Sequence, residues 1–200
     1  MRSRYRRAAR ALVTLGMLEW GCAAHGAGTG APTIEVTSVP TLFVHRTVDV
    51  DVDFDRFTAN LEKLLGRYDP AALNAPDGER EQVLAQFRGM EGEENLVLFQ
   101  SYRHGSMAGF FGEVRKGTRY NIGNPTYAAR MVASDLRSGL YAPLSLIVYE
   151  SLPGRTRIEY DLPSKCFGQF GNAAVDEIAG PLDGKLERLI DKAARLNDQP

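Results

Sequence analysis

Apolar positions recur along this chain with two periods, and the alternation of those periods sets out the elements. Thr41 to Val48 is β-branched and apolar, as in a first strand. Phe54, Phe57, Leu61, Leu64, Leu65 and Tyr68 then recur at helical spacing. Asp53 is placed to cap that helix, and Asp69-Pro70 to end it, because the residue before a proline resists helical torsions. A short helix over 79–88 would bury Val83, Leu84 and Phe87, with Gly89 as its stop. The continuous apolar run Asn95 to Gln100 reads as a strand buried on both sides.

The second half repeats the alternation more sharply. Arg119 to Ile122 reads as a strand, followed by Gly123-Asn124-Pro125. In that triplet Asn124 can cap a helix, and Pro125 suits its first position, where no N–H is needed. The helix would bury Ala128, Met131 and Val132 and end near Ser138-Gly139. Leu144 to Tyr149 is a core strand and Pro153-Gly154 a turn. Thr156, Ile158 and Tyr160 then alternate with Arg155, Arg157 and Glu159, as on a sheet with one wet face. Val175, Ile178, Ala179, Leu182, Leu186 and Leu189 mark a last helix, which Gly180-Pro181 should kink or split. Gly105, Gly109 and Gly112 signal a bulge or a close backbone approach. The pattern predicts one folded domain over 41–196 that contains both strands and helices.

Composition adds a compartment. Residues 1–21 hold five arginines and one acid, so removing them takes the count from 24 basic and 25 acidic residues to 19 and 24, a net of −5. An acidic body argues against nucleic-acid binding, which needs a basic face. The arginine-rich start, the apolar run Ala11 to Leu18 and the small residues after it have the layout of an export signal over 1–22. That run is too short to span a bilayer. Cys22 after Gly21 suggests lipidation, although Glu19 stands where lipoprotein signals usually carry an aliphatic residue. Residues 23–40, rich in Gly, Ala, Thr and Pro, read as a tether. The expected location is the periplasm or cell envelope, with membrane contact only through an anchor at Cys22.

The runs YNIGNPTYAARM, SGLYAPLSLIVYE and TRIEYDLPSKCFGQFGN together resemble the bacterial family catalogued as domain of unknown function 302. Gly123-Asn124-Pro125, Leu140-Tyr141-Ala142-Pro143, Val148-Tyr149-Glu150 and His104-Gly105 carry the resemblance. Arg103 stands where members often have an acidic residue. The resemblance implies an α+β fold, a single compact domain with a mostly antiparallel sheet packed by two or three helices, that often dimerises, and implies no established activity.

Candidate chemistry is sparse. His104, Glu150 and Tyr141 are the acid, base and orienting group that an enzyme would use. Each also has an ordinary structural role open to it: a strand-end histidine, an ion-paired carboxylate and a packed tyrosine. Tyr120, Asn124, Arg130 and Tyr141 are the candidate ligand contacts, tyrosines offering an apolar body with a polar tip. No histidine or cysteine stands at metal-ligand spacing, and neither metal nor cofactor is expected. Cys166 reads as a small buried hydrophobe. Three readings follow, in order of preference. The first is a binding module for a small apolar or amphiphilic molecule. The second is a dimerising interaction domain, and the third an enzyme built around His104 and Glu150.

Overall fold

The computed structural model describes residues 33–71 and 80–196. The expected export signal over 1–22, with Cys22, and the first part of the expected tether lie outside the described residues. Residues 33–44 have no regular secondary structure. From Pro40 onward the chain forms one unit.

Six strands make one sheet: β1 (His45–Val50), β2 (Gly66–Arg67), β3 (Val97–Tyr102), β4 (Gly117–Gly123), β5 (Leu144–Leu152) and β6 (Arg155–Asp161), in the order β1-β6-β5-β4-β3-β2. Every pairing is antiparallel except the short parallel contact of β2 with β3. Among the described residues six α-helices accompany it: α1 (Phe54–Leu64), α2 (Arg80–Gly89), α3 (His104–Ala108), α4 (Pro125–Ser134), α5 (Pro163–Gly168) and α6 (Ala173–Arg195). The protein is thus a single α+β domain with a mostly antiparallel sheet.

One sheet face is buried. Leu146 and Val148 of β5, Ile158 and Tyr160 of β6, and Tyr120 and Ile122 of β4 share a core with Phe57 and Leu61 of α1, Met131 of α4, and Val175, Leu186 and Leu189 of α6. The predicted alternation holds along β6, where Thr156, Ile158 and Tyr160 are buried and their neighbours are not. The other face is polar. Arg119, Ser145, Glu159, Arg157 and Asp49 project from it, and Arg157 grips Asp49 through two bonds of 2.9 Å.

Several boundaries differ from the sequence reading. β1 starts at His45 rather than Thr41, although Val44 still accepts a bond from the Leu162 N–H. α1 stops at Leu64, not at Asp69, because Gly66 turns onto the edge of β3 and bonds Leu96. Only glycine fits there: a Cβ on Gly66 would lie 1.7 Å from the Met90 carbonyl oxygen. Tyr68 therefore leaves the helical stripe. Only Val97 and Leu98 of β3 are fully buried, since its one neighbour beyond β4 is the two-residue β2. α4 ends at Ser134, and a 3-10 turn over Leu136–Leu140 follows, capped by Asp135. A short helix, α5, follows β6 directly, with Pro163 in its first turn, where no N–H is needed. α6 runs through Gly180-Pro181 as one helix rather than splitting. Its buried stripe of Val175, Ala179, Leu182, Leu186 and Leu189 lies on both sides of Pro181, so packing holds the two halves in line.

Candidate functional site

The junction between β4 and α4 is the best-built corner of the molecule. Asn124 caps α4, its Oδ1 accepting from the Tyr127 N–H at 3.0 Å, and Pro125 occupies the first turn. The Asn124 amide also donates to Glu91 at 2.7 Å and to the Asn95 carbonyl at 2.8 Å. Glu91 accepts a second bond from Asn95 Nδ2, at 2.7 Å. Glu94 and Asn95 are left-handed, with φ of 56° and 61°, a conformation rare for residues other than glycine. Cations of α6 hold them there. Lys185 donates to the Glu94 carbonyl at 2.8 Å, Arg188 to the Glu94 carboxylate at 2.9 Å, and Lys192 bonds Glu93. Arg188 keeps the Glu94 carboxyl below the usual carboxylate range.

This frame walls a cavity of about 270 Å³, and among the described residues no charged side chain lines it. Tyr68 and Phe99, with ring centroids 4.5 Å apart, form one side. Tyr127, Ala128 and Met131 of α4 form another, and Phe87, Phe167 and Leu182 close it. Ala142 and Pro143, joined by a cis peptide bond, complete the wall. Exposed Ala129 and Pro143 put part of the rim at the surface, so the cavity opens to solvent. Burial raises the Tyr68 phenol above its ordinary pKa, which keeps it neutral.

The sequence candidates scatter around this cavity. Asn124 lines it, but both its amide hydrogens and its oxygen are already engaged in protein bonds, so it frames the site more than it contacts a guest. Tyr120 is a core residue whose phenol donates to Glu62 at 3.0 Å, and burial raises its pKa. Arg130 sits on the exposed face of α4, beside a separate hollow lined by Glu177 and Lys185. Tyr141 packs among Phe43, Phe167 and Phe170, at centroid distances near 6 Å.

His104 and Glu150 do share a cleft, of about 680 Å³, on the polar side of the sheet. Tyr149 and Arg157 line it with them, and Glu150 lies 3.5 Å from Lys116. Tyr141 is not there. It precedes β5, whereas Glu150 is near the far end of that strand, about 20 Å away at roughly 3.3 Å per residue. The acid–base–orienter constellation is therefore not assembled. Lys116 is shared with Asp53 and Asp55, and Arg157 with Asp49, so these two cations of the cleft are already paired. Among the described residues, no group of three His, Cys, Asp or Glu side chains is arranged to hold a metal ion.

Sequence reasoning missed His45. Its Nδ1 lies 2.9 Å from Asp161 and its Nε2 3.2 Å from Glu159, which also accepts from the Tyr149 hydroxyl at 2.7 Å. These bonds raise the His45 pKa. The signal was present in the alternating charges of 155–161, but pairing β1 to β6 was needed to bring His45 opposite Asp161. Cys166 is buried as expected, and burial lifts its thiol to about 11.

No curated protein matches the chain in sequence. The crystal structure of an uncharacterized conserved DUF302 protein from Bacillus stearothermophilus is similar in fold. It superposes with a TM-score of 0.54 at 20% identity, over 74% of this chain and 97% of that one. The family model described as "Domain of unknown function DUF302" matches residues 76–193, which run from before α2 into α6 and include Glu91, Asn95 and Asn124. The chain belongs to the DUF302 family.

Proposed function

We propose that this domain binds a small, neutral, apolar molecule in the cavity between α4, Tyr68 and Phe99. One observation carries the reading: among the described residues the cavity lining is mostly apolar and uncharged, and it is framed by a hydrogen-bonded corner. An apolar cavity of about 150 Å³ already admits benzene. About 270 Å³ therefore suits a fused bicyclic ring or a medium-length alkyl chain. The absence of charged groups from the described lining residues disfavours an ionised ligand, which would be desolvated without a partner. The tyrosine hydroxyls of Tyr68 and Tyr127 are the groups that would select for a single polar tip, as on an alcohol or phenol. The reading concerns binding and assigns no reaction.

Naphthalene and 1-decanol are suitable probes. Binding should raise the melting temperature in proportion to ligand concentration, and calorimetry should give a negative heat-capacity change. Ala128→Phe, which fills the cavity from α4, should abolish both effects while the protein stays folded. If neither probe moves the melting of the wild-type protein, the reading is wrong.

A further inference from the structure

The segment between α3 and β4 carries Phe111, the most exposed large apolar side chain among the described residues, with Phe110 beside it. Phe110 is 82% exposed and Phe111 101%, and Met107 and Val114 accompany them. This is not a loose excursion. The Arg115 N–H bonds the Gly105 carbonyl at 3.0 Å, closing the base of the loop. At that base a side chain on Gly105 would meet the Arg115 carbonyl oxygen at 2.0 Å, so the two backbones are in direct contact. Within the loop, Gly109, Phe110 and Phe111 donate in succession to Ser106, Met107 and Ala108. A hydrogen-bonded tip thus holds two phenylalanines out in water.

Charge frames the tip. Arg103 precedes it and Arg115 follows it. Both are exposed, and among the described residues neither makes an ion pair. Most other arginines on this surface are paired, including Arg46, Arg67, Arg137, Arg155, Arg157 and Arg188. One acid, Glu113, lies between them.

The geometry points to insertion of the 107–114 tip into the interfacial layer of an anionic lipid bilayer, with Arg103 and Arg115 against the headgroups. Phenylalanine side chains favour the boundary between headgroups and acyl chains, at a depth of about 5–10 Å, and unpaired arginines beside them gain from anionic lipid. A second copy of the chain fits less well. The four apolar side chains offer on the order of 500 Å², below the roughly 800 Å² per partner of a stable interface. Nor is this a spanning contact: among the described residues no helix is long and apolar enough to cross a membrane. The contact is also separate from anything at Cys22, because the tip itself carries the apolar and basic groups.

The test uses the full chain with Phe111→Trp in a Trp20→Phe background, leaving one tryptophan, at the tip. Phosphatidylcholine vesicles containing phosphatidylglycerol should shift its emission to the blue. Lipids brominated along the acyl chain should quench it. Pure phosphatidylcholine or raised salt should weaken the partitioning. In a chain otherwise wild type, Phe110→Ser with Phe111→Ser should lower partitioning about tenfold or more without lowering the melting temperature. An unshifted tryptophan on vesicle-bound protein would mean attachment through another segment and overturns the proposal. A blue shift that follows protein concentration without lipid would assign the tip to a second copy, and overturns it equally.

Discussion

Asn124→Ala is the substitution that most directly tests the corner on which the cavity rests. Asn124 is only 4% exposed and makes three bonds. Losing the bond to the Tyr127 N–H removes a helix cap, which costs about 1 kcal/mol. Losing the donor to the Asn95 carbonyl adds about 1 kcal/mol. The bond to the Glu91 carboxylate is charge-assisted, but Glu91 is half-exposed, so about 1 kcal/mol is a fair share of its usual worth. The expected loss is about 2–4 kcal/mol in urea-induced unfolding. Asn124→Asp keeps the cap acceptor but loses both donors and places a second carboxylate against Glu91, so it should do no better than alanine. A double-mutant cycle with Glu91→Ala isolates the shared bond and should give a coupling of about 0.5–2 kcal/mol. A loss below about 0.5 kcal/mol for Asn124→Ala, with no coupling to Glu91, would refute the claim that this corner is held by its side-chain bonds.

Other consequences can be measured independently. Gly105→Ala forces a Cβ against the Arg115 carbonyl oxygen, with only backbone atoms to give way, and should cost about 1–3 kcal/mol in the same unfolding assay and displace the 107–114 tip. His45 has a folded pKa raised above its ordinary 6.5 by Asp161 and Glu159. Its contribution to stability is therefore fully present below about pH 6.5 and lost as pH rises through the raised folded value. His45→Gln should flatten that part of the stability–pH curve, and an unchanged slope would count against the His45 network. The Cys166 thiol, 7% exposed and raised to about 11 by burial, should resist thiol reagents in the native protein and react on unfolding, measured in a Cys22→Ser background. Rapid native labelling would contradict that burial.

The helices and strands were legible because their signals are local. The Asn124-Pro125 start, the Asp53 cap and the period-two run of β6 each need only a few neighbouring residues, and the structure has all three. Errors arose where a distant partner decided the outcome. Tyr68 continues the apolar stripe of α1 in sequence, yet the chain leaves the helix at Leu65 because Gly66 is drawn onto β3, and the tyrosine becomes a cavity wall instead. Pro181 would interrupt an isolated helix, but the buried stripe on either side carries α6 through. The cavity suffers most from this limit. Its lining comes from Tyr68, Phe87, Phe99, the β4–α4 turn, Pro143, Phe167 and Leu182, and no two of these groups are spaced so that their sequence pattern marks a shared wall. Apolar side chains there look like core in every local window. What distinguishes them is that the surrounding bonds fix the frame before the space is filled, and that depends on Glu91, Asn95 and Asn124 meeting across some thirty residues of chain. The exposed Phe110-Phe111 pair is the converse case. Local pattern assigns it to an apolar run beside a strand, whereas the Gly105–Arg115 contact closes a loop that keeps both rings in solvent. In each instance a close backbone approach at a glycine, or a multiply bonded asparagine, turns an ordinary hydrophobic residue into surface that is available to a partner.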